Sequence, residues 1–123
     1  MITQSFEKQL LIEKMTEELV SSINILSKDL PENPIYRLSD KLMNTVSSIP
    51  KYIAMGISNE CKRLDKIRYY MTANTALEDC KNYLTLVETL KYGNTEDIIE
   101  KINDVNTLLA IDCPYITGAI CKS

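Results

Sequence analysis

Five cations and three aromatic rings of a kind that could hold a nucleic acid fall within one short stretch of this sequence. Between residues 51 and 75 stand Lys51, Lys62, Arg63, Lys66 and Arg68, with Tyr52, Tyr69 and Tyr70, against only Glu60 and Asp65. Ammonium and guanidinium groups neutralise phosphate, and rings offer faces on which bases stack. On a helix Lys62, Lys66 and Tyr69 share one side, and Arg63, Lys66 and Tyr70 are also neighbours. The candidate RNA-binding set is therefore Lys51, Lys62, Arg63, Lys66, Arg68, Tyr69 and Tyr70. The stretch carries +3, whereas residues 1–50 carry −2 and residues 76–123 carry −4. Five charges are few by counter-ion arithmetic, and the acidic remainder repels phosphate elsewhere. The plainer reading of the same stretch is a solvated face at the start of a long helix.

Other chemistry finds little support. The chain has no His, which removes imidazole triads, His-ligated zinc and imidazole proton shuttles. Cys61, Cys80, Cys113 and Cys121 form no Cys-x-x-Cys pair, so a zinc site would need all four thiolates or a borrowed carboxylate. Cys80 reads as a small core hydrophobe. Gly56, Gly93 and Gly118 are too isolated for a phosphate-cradling loop. Glu78-Asp79 with Glu88, and Glu96-Asp97 with Glu100, read as water-facing helix surfaces rather than acid–base pairs. No catalytic residue, metal, cofactor or small-molecule substrate is expected, and the chain is not read as an enzyme. Nothing at the N-terminus resembles a secretory signal, and no apolar run approaches a membrane span. The expected location is cytoplasmic, with reduced thiols.

The elements that must position these residues are helices. The chain has 123 residues, 45% of them hydrophobic, and a formal charge of −3, a composition suited to one domain. Gly and Pro cut it into four segments, at about 5–28, 34–57, 59–92 and 95–112, with a short apolar tail at 114–123. In the first, Phe6, Leu10, Met15, Leu19, Ile23 and Leu26 recur at helical steps, with Glu13, Lys14, Glu17, Glu18 and Ser21 opposite. Asn33-Pro34 signals the second start, since Asn caps free N–H groups and Pro loses nothing at the first position. Ile35, Leu38, Leu42, Met43, Val46, Ile49 and Ile53 form its stripe. Pro50 lies inside, and periodicity through Tyr52 and Ile53 favours a bent helix over an ended one, with Ser47 or a neighbouring chain taking the carbonyl of Val46. The third stripe is Leu64, Ile67, Met71, Leu77, Cys80, Leu84, Val87 and Leu90, with Ala73 and Ala76 leaving room for close approach. Gly93 is the expected left-handed terminator. Asn94 caps the fourth helix, whose buried face is Ile98, Ile102, Val105 and Leu109. No strand alternation appears. The expected fold is all-α, an up-down-up-down antiparallel four-helix bundle.

Leu30-Pro31-Glu32, Tyr36-Arg37-Leu38 and Ser48-Ile49-Pro50-Lys51-Tyr52-Ile53-Ala54-Met55-Gly56 resemble the bacterial four helix bundle protein family. That family includes proteins encoded by intervening sequences in 23S rRNA genes and is similar to the accessory variability proteins of diversity-generating retroelements. Ser48, Ile49, Pro50, Ile53, Ala54 and Gly56 match its motif. The resemblance covers about residues 5–111. It implies a homo-oligomer, a ring of five bundles, and in the retroelement branch a basic surface for RNA and a reverse transcriptase. Tyr52, Met55 and Asn74-Thr75 depart from the pattern, and Met43-Asn44 stands where arginine is common, which removes permanently charged phosphate donors.

Two functions follow. One is a non-enzymatic oligomeric accessory protein contacting RNA or an RNA-bound partner, such as a reverse transcriptase or ribosomal RNA. The other is a purely protein-binding scaffold. Ile12, Val20, Ile25, Tyr36, Tyr52, Met55, Tyr69 and Tyr83 lie off the main stripes, and a helix with apolar residues beyond its core band usually has a second contact surface. Unlike patches that meet head to tail close into rings. Four segments of these lengths require far-ultraviolet circular dichroism to report more than half the chain as helix.

Overall fold

A computed structural model of the chain describes residues 2–31, 37–58 and 62–113, with the backbone alone for residues 2–6. Four helices follow one another: α1 (Ile2–Asp29), α2 (Leu38–Ile57), α3 (Arg63–Thr89) and α4 (Glu96–Asp112). Each packs on its chain neighbours, α1 closes against α4, and among the described residues the diagonal pairs do not meet. The chain is an all-α, antiparallel four-helix bundle, as its pattern predicts.

The core follows the predicted stripes in α2 and α4. Leu38, Leu42, Val46, Ile49 and Ile53 are buried from α2, and Ile98, Ile102, Val105 and Leu109 from α4. From α3 come Leu77, Cys80, Leu84 and Val87, with Ala73 and Ala76 also inside. Two stripes need correction. On α1 the buried row is Ile12, Thr16, Leu19, Ile23 and Ser27, while Leu10 is half exposed. The hydroxyl of Thr16 donates to the carbonyl of Ile12 at 2.7 Å, which lets a polar residue hold a core position. A stripe drawn from apolar residues alone rotates away from this row and leaves Ile12 outside it. On α3, Leu64 and Met71 are exposed and Ile67 is half-buried; the buried row there begins at Tyr70. Met43 of α2 is also exposed. Glu13, Lys14, Glu17, Glu18 and Ser21 face water as expected. Ile35 and the Phe6 side chain lie outside the described residues.

The helix ends show where local geometry overrides sequence signals. Arg37 is left-handed (φ 49°, ψ 44°), so α2 begins at Leu38 rather than Pro34; the expected Asn33-Pro34 cap lies outside the described residues. The helix does continue through Pro50 to Ile57. Ser47 does not reach the carbonyl that Pro50 frees. Its hydroxyl donates to the Asn44 carbonyl at 3.0 Å, and that of Ser48 to the Thr45 carbonyl at 2.7 Å. α3 starts at Arg63 rather than Asn59, which lies outside the described residues, and ends at Thr89. Its terminator is Lys91, at φ 60°, and not Gly93, whose φ is negative. The Tyr92 N–H donates to the Val87 carbonyl and the Lys91 N–H to the Glu88 carbonyl, each at 3.0 Å. These are the paired bonds of a Schellman turn, with lysine in the place glycine usually takes. Asn94 is not the N-cap itself, a place that Thr95 takes; it stands one position earlier, where its Oδ1 accepts the Glu96 N–H at 3.0 Å. Beside it the buried Thr95 gives its N–H to Glu88 Oε1 at 3.1 Å and aims its hydroxyl at the Leu84 carbonyl at 3.4 Å, fastening the start of α4 to α3.

Cys80 is fully buried. Burial, helped by the charge of Asp79, pushes its thiol up from 9.0 to about 12, so it packs as a neutral side chain. Above pH 9 the unfolded chain releases this proton while the folded chain keeps it, and stability falls as pH rises toward 12. Unfolding followed by circular dichroism from about pH 8 to about pH 11 should show that loss, reduced in Cys80→Ala. Lys91→Gly should raise stability by about 1 kcal/mol, because glycine adopts the left-handed region without the cost a side chain meets there; thermal unfolding reads this as a higher midpoint.

Candidate nucleic-acid interface

The seven residues expected to form one basic, ring-bearing surface divide into two groups. Lys51 of α2 and Lys62, Arg63 and Arg68 at the start of α3 are exposed. Tyr69 is half-buried. Tyr70 is fully buried, so it is no stacking face. Lys66 is only 24% exposed and its Nζ lies 2.9 Å from Asp112 Oδ2. The Arg63–Lys66–Tyr70 neighbourhood on the helix surface is therefore corrected. Two of its members turn inward because the bundle end needs them there.

That inward group is compact. The Tyr70 hydroxyl donates to Asp112 Oδ2 at 2.7 Å, the oxygen that Lys66 also approaches, and Lys66 Nζ sits 5.3 Å from the centre of the Tyr70 ring. Asp112 is 6% exposed, and a buried carboxylate needs this pairing to offset the loss of water. The ring itself fits only because residue 56 is glycine. A Cβ there would stand 2.5 Å from Tyr70 Cε1 and 2.6 Å from Cδ1. Gly56 thus admits the ring from α2, α3 supplies Tyr70 and Lys66, and α4 supplies Asp112. Sequence reasoning missed Asp112, which lies 42 positions from Tyr70 and carries no spacing signal. Gly56, read as a helix end, is buried inside α2. Of the motif residues, Ile49 and Ile53 serve the core, Ser48 bonds to its own helix, and Ala54 is exposed.

Two surfaces lie beside this centre. A shallow groove between α2 and α3 is lined by Thr45, Ser48, Tyr52, Thr72, Thr75, Ala76 and Asp79. The hydroxyls of Ser48, Thr72 and Thr75 donate to carbonyls of their own helices, which leaves them acceptors toward any partner. Next to it, the outer face of α3 presents Leu64, Ile67 and Met71 around Arg68, with Leu64 75% exposed. On the opposite seam, Lys101 Nζ donates to Ser22 Oγ at 2.8 Å in a charged cleft with Lys14, Glu17 and Glu18.

Of the residues assigned to a second contact surface, Ile25 and Met55 are exposed, at 65% and 37%. Ile12 is core, and Val20, Tyr52 and Tyr83 pack partly against it. Lys41 lies 6.0 Å from the Tyr83 ring centre. Tyr36 is outside the described residues, as are Cys61, Cys121 and the segment 114–123. Among the described residues no group of His, Cys, Asp or Glu could hold a metal ion. Among them, too, no helix is long and apolar enough to cross a membrane.

A small all-α bundle with a buried tyrosine–carboxylate–lysine centre and a basic end is the class these features define. Residues 8–111 match the family model of the 23S rRNA-intervening sequence protein, and the chain belongs to that family. No curated protein and no solved structure matches it.

Gly56→Ala should destabilise the fold by about 1–3 kcal/mol, as overpacking does in a filled interior, and Tyr70→Leu should absorb part of that cost in the double variant. Tyr70→Phe should cost about 1.5–3 kcal/mol, the range for a hydrogen bond to a charged group. Urea unfolding of these variants and the parent measures both effects, and additive losses in the double variant would show that the ring and Gly56 do not touch.

Proposed function

We propose that this chain is a non-enzymatic accessory protein that assembles with copies of itself and contacts RNA through the basic end where α2 passes to α3. One observation carries the RNA reading: Lys51, Lys62, Arg63 and Arg68 are all exposed at that end, on a chain whose remainder is acidic. Phosphate is drawn to such a concentration of cations and turned away elsewhere. Tyr70 leaves the proposed surface and Lys66 has its charge engaged by Asp112, so the surface is smaller than the sequence suggests. The assembly we propose is the closed ring of five that the family resemblance implies, in the cytoplasm.

A second reading is favoured by the exposed apolar face of α3, which suits a protein-binding scaffold without an RNA role. Gel shift against structured RNA separates the two. The parent protein should shift RNA at low salt, and replacing Lys51, Lys62, Arg63 and Arg68 by Glu should abolish the shift. Single replacements should lower the log–log salt slope by roughly 0.7–0.9 for each phosphate left without its cation, whereas Lys66→Gln should lower stability and leave the slope unchanged. A parent that fails to shift RNA at low salt supports the scaffold. Sedimentation equilibrium at micromolar concentration tests assembly separately: a single species near 14.0 kDa would refute it, and a stable dimer would refute the ring.

A further inference from the structure

The shallow groove between α2 and α3 has a chemistry that the basic end beside it does not share. Its walls carry Ser48 and Tyr52 from α2, and Thr72, Thr75 and Asp79 from α3. Three of these side chains commit their protons inside the molecule. The hydroxyl of Ser48 donates to the Thr45 carbonyl at 2.7 Å, that of Thr72 to the Arg68 carbonyl at 3.0 Å, and that of Thr75 to the Met71 carbonyl at 3.0 Å. Toward a ligand these oxygens accept, as does the carboxylate of Asp79. A group that fits here must bring N–H or O–H donors. Tyr52 adds a half-buried ring to the same wall, a surface for a flat ligand. The groove offers about 370 Å³, toward the lower end of the range for ligand clefts, which suits one flat group and not a helix or a duplex.

The neighbours of the groove name the source of that group. Lys51 precedes Tyr52 in α2, Arg68 lies one turn before Thr72 in α3, and both are exposed. These cations stand toward one end of the groove and Asp79 toward the other, about 16 Å from Arg68 along α3 at roughly 1.5 Å per residue. That exceeds the screening length of about 8 Å in physiological salt, so phosphates drawn to Lys51 and Arg68 are little disturbed by the carboxylate. Phosphates at the cations with a flat, donor-bearing group on the ring describe a stretch of nucleotide chain. Paired bases hide their donors in the duplex, so the base in the groove is unpaired. Guanine alone among the four bases sets N1–H and N2–H side by side on its pairing edge, and a carboxylate accepts both. Adenine and cytosine place one amino group beside a ring nitrogen that accepts, and uracil places one N–H between two carbonyls. An acceptor-lined wall leaves those ring nitrogens and carbonyls without partners, at a cost.

We propose that the α2–α3 groove takes one unpaired guanine of an RNA strand, stacked on Tyr52 and donating N1–H and N2–H to Asp79, while Lys51 and Arg68 hold the phosphates beside it. This rests on the RNA contact proposed above and adds what the cations alone lack, a preference among sequences: phosphate contacts position a strand, and base edges specify it.

Fluorescence anisotropy with RNA hairpins that differ at one loop position tests this on the full chain. Guanine there should bind at least about tenfold more tightly than adenine, uracil or inosine, which lacks the N2 amino group, since hydrogen bonds to a charged acceptor carry that much discrimination. Asp79 is exposed, so Asp79→Asn should keep the helix content in circular dichroism and erase the preference for guanine over inosine, whatever it does to overall affinity. Equal, salt-dependent binding of all the hairpins would overturn the guanine site and leave the RNA reading standing. Failure of every hairpin to bind at low salt would overturn both. The proposal also falls if Asp79→Asn leaves the guanine preference intact, since the base then lies elsewhere, or if guanosine monophosphate binds as tightly as the hairpin, since the occupant is then a free nucleotide.

Discussion

The placement of one ring governs one end of this bundle. Tyr70 is the largest of the fully buried side chains, and it carries a hydroxyl that must find a partner once water is excluded. Three helices meet its needs: α2 gives up a side chain at Gly56, α4 brings a carboxylate at Asp112, and α3 adds the ammonium of Lys66. A carboxylate so little exposed would be costly alone, and the two donors on one of its oxygens make its burial sustainable. The same arrangement separates the cations at this end of the bundle. Lys66 is drawn inward, and Lys51, Lys62, Arg63 and Arg68 are left at the surface.

Much of the fold is legible in the sequence, because burial in a bundle repeats with the helix. The stripes of α2 and α4 can be read almost residue for residue, since most of their buried positions are Leu, Ile and Val. The stripe of α1 cannot, because Thr16 and Ser27 occupy buried positions and a hydrophobicity pattern passes over them. Thr16 is tolerated by returning its hydroxyl to its own helix. The ends are harder for a related reason. Lys91 and Arg37 adopt left-handed geometry that glycine and asparagine usually announce, and Gly93, close behind Lys91, is the more attractive choice by residue type.

The site is less legible than the fold. Charge and ring content draw Lys62, Arg63, Lys66, Tyr69 and Tyr70 together because they are close along the chain. A helix rotates such neighbours by about 100° per residue, and only the position of the partner helices decides which of them face inward. Tyr70 and Lys66 point toward α4, and the residue that holds them there is 42 positions from the tyrosine. Long-range partners of this kind leave no trace in local spacing. Gly56 is conspicuous in the sequence for the wrong property: its missing Cβ serves a neighbouring ring rather than a turn.

The order of helix neighbours also has a kinetic meaning. Three of the four seams join helices consecutive in the chain, and only the seam between α1 and α4 closes a long loop. Local seams form early because little chain entropy is lost in making them, and distant ones late. Chain entropy therefore favours the three seams between consecutive helices, among them the α2–α3 seam with Gly56 and Tyr70 at its turn end. The α1–α4 seam, where Lys101 meets Ser22, closes the longest loop and so costs the most chain entropy to form.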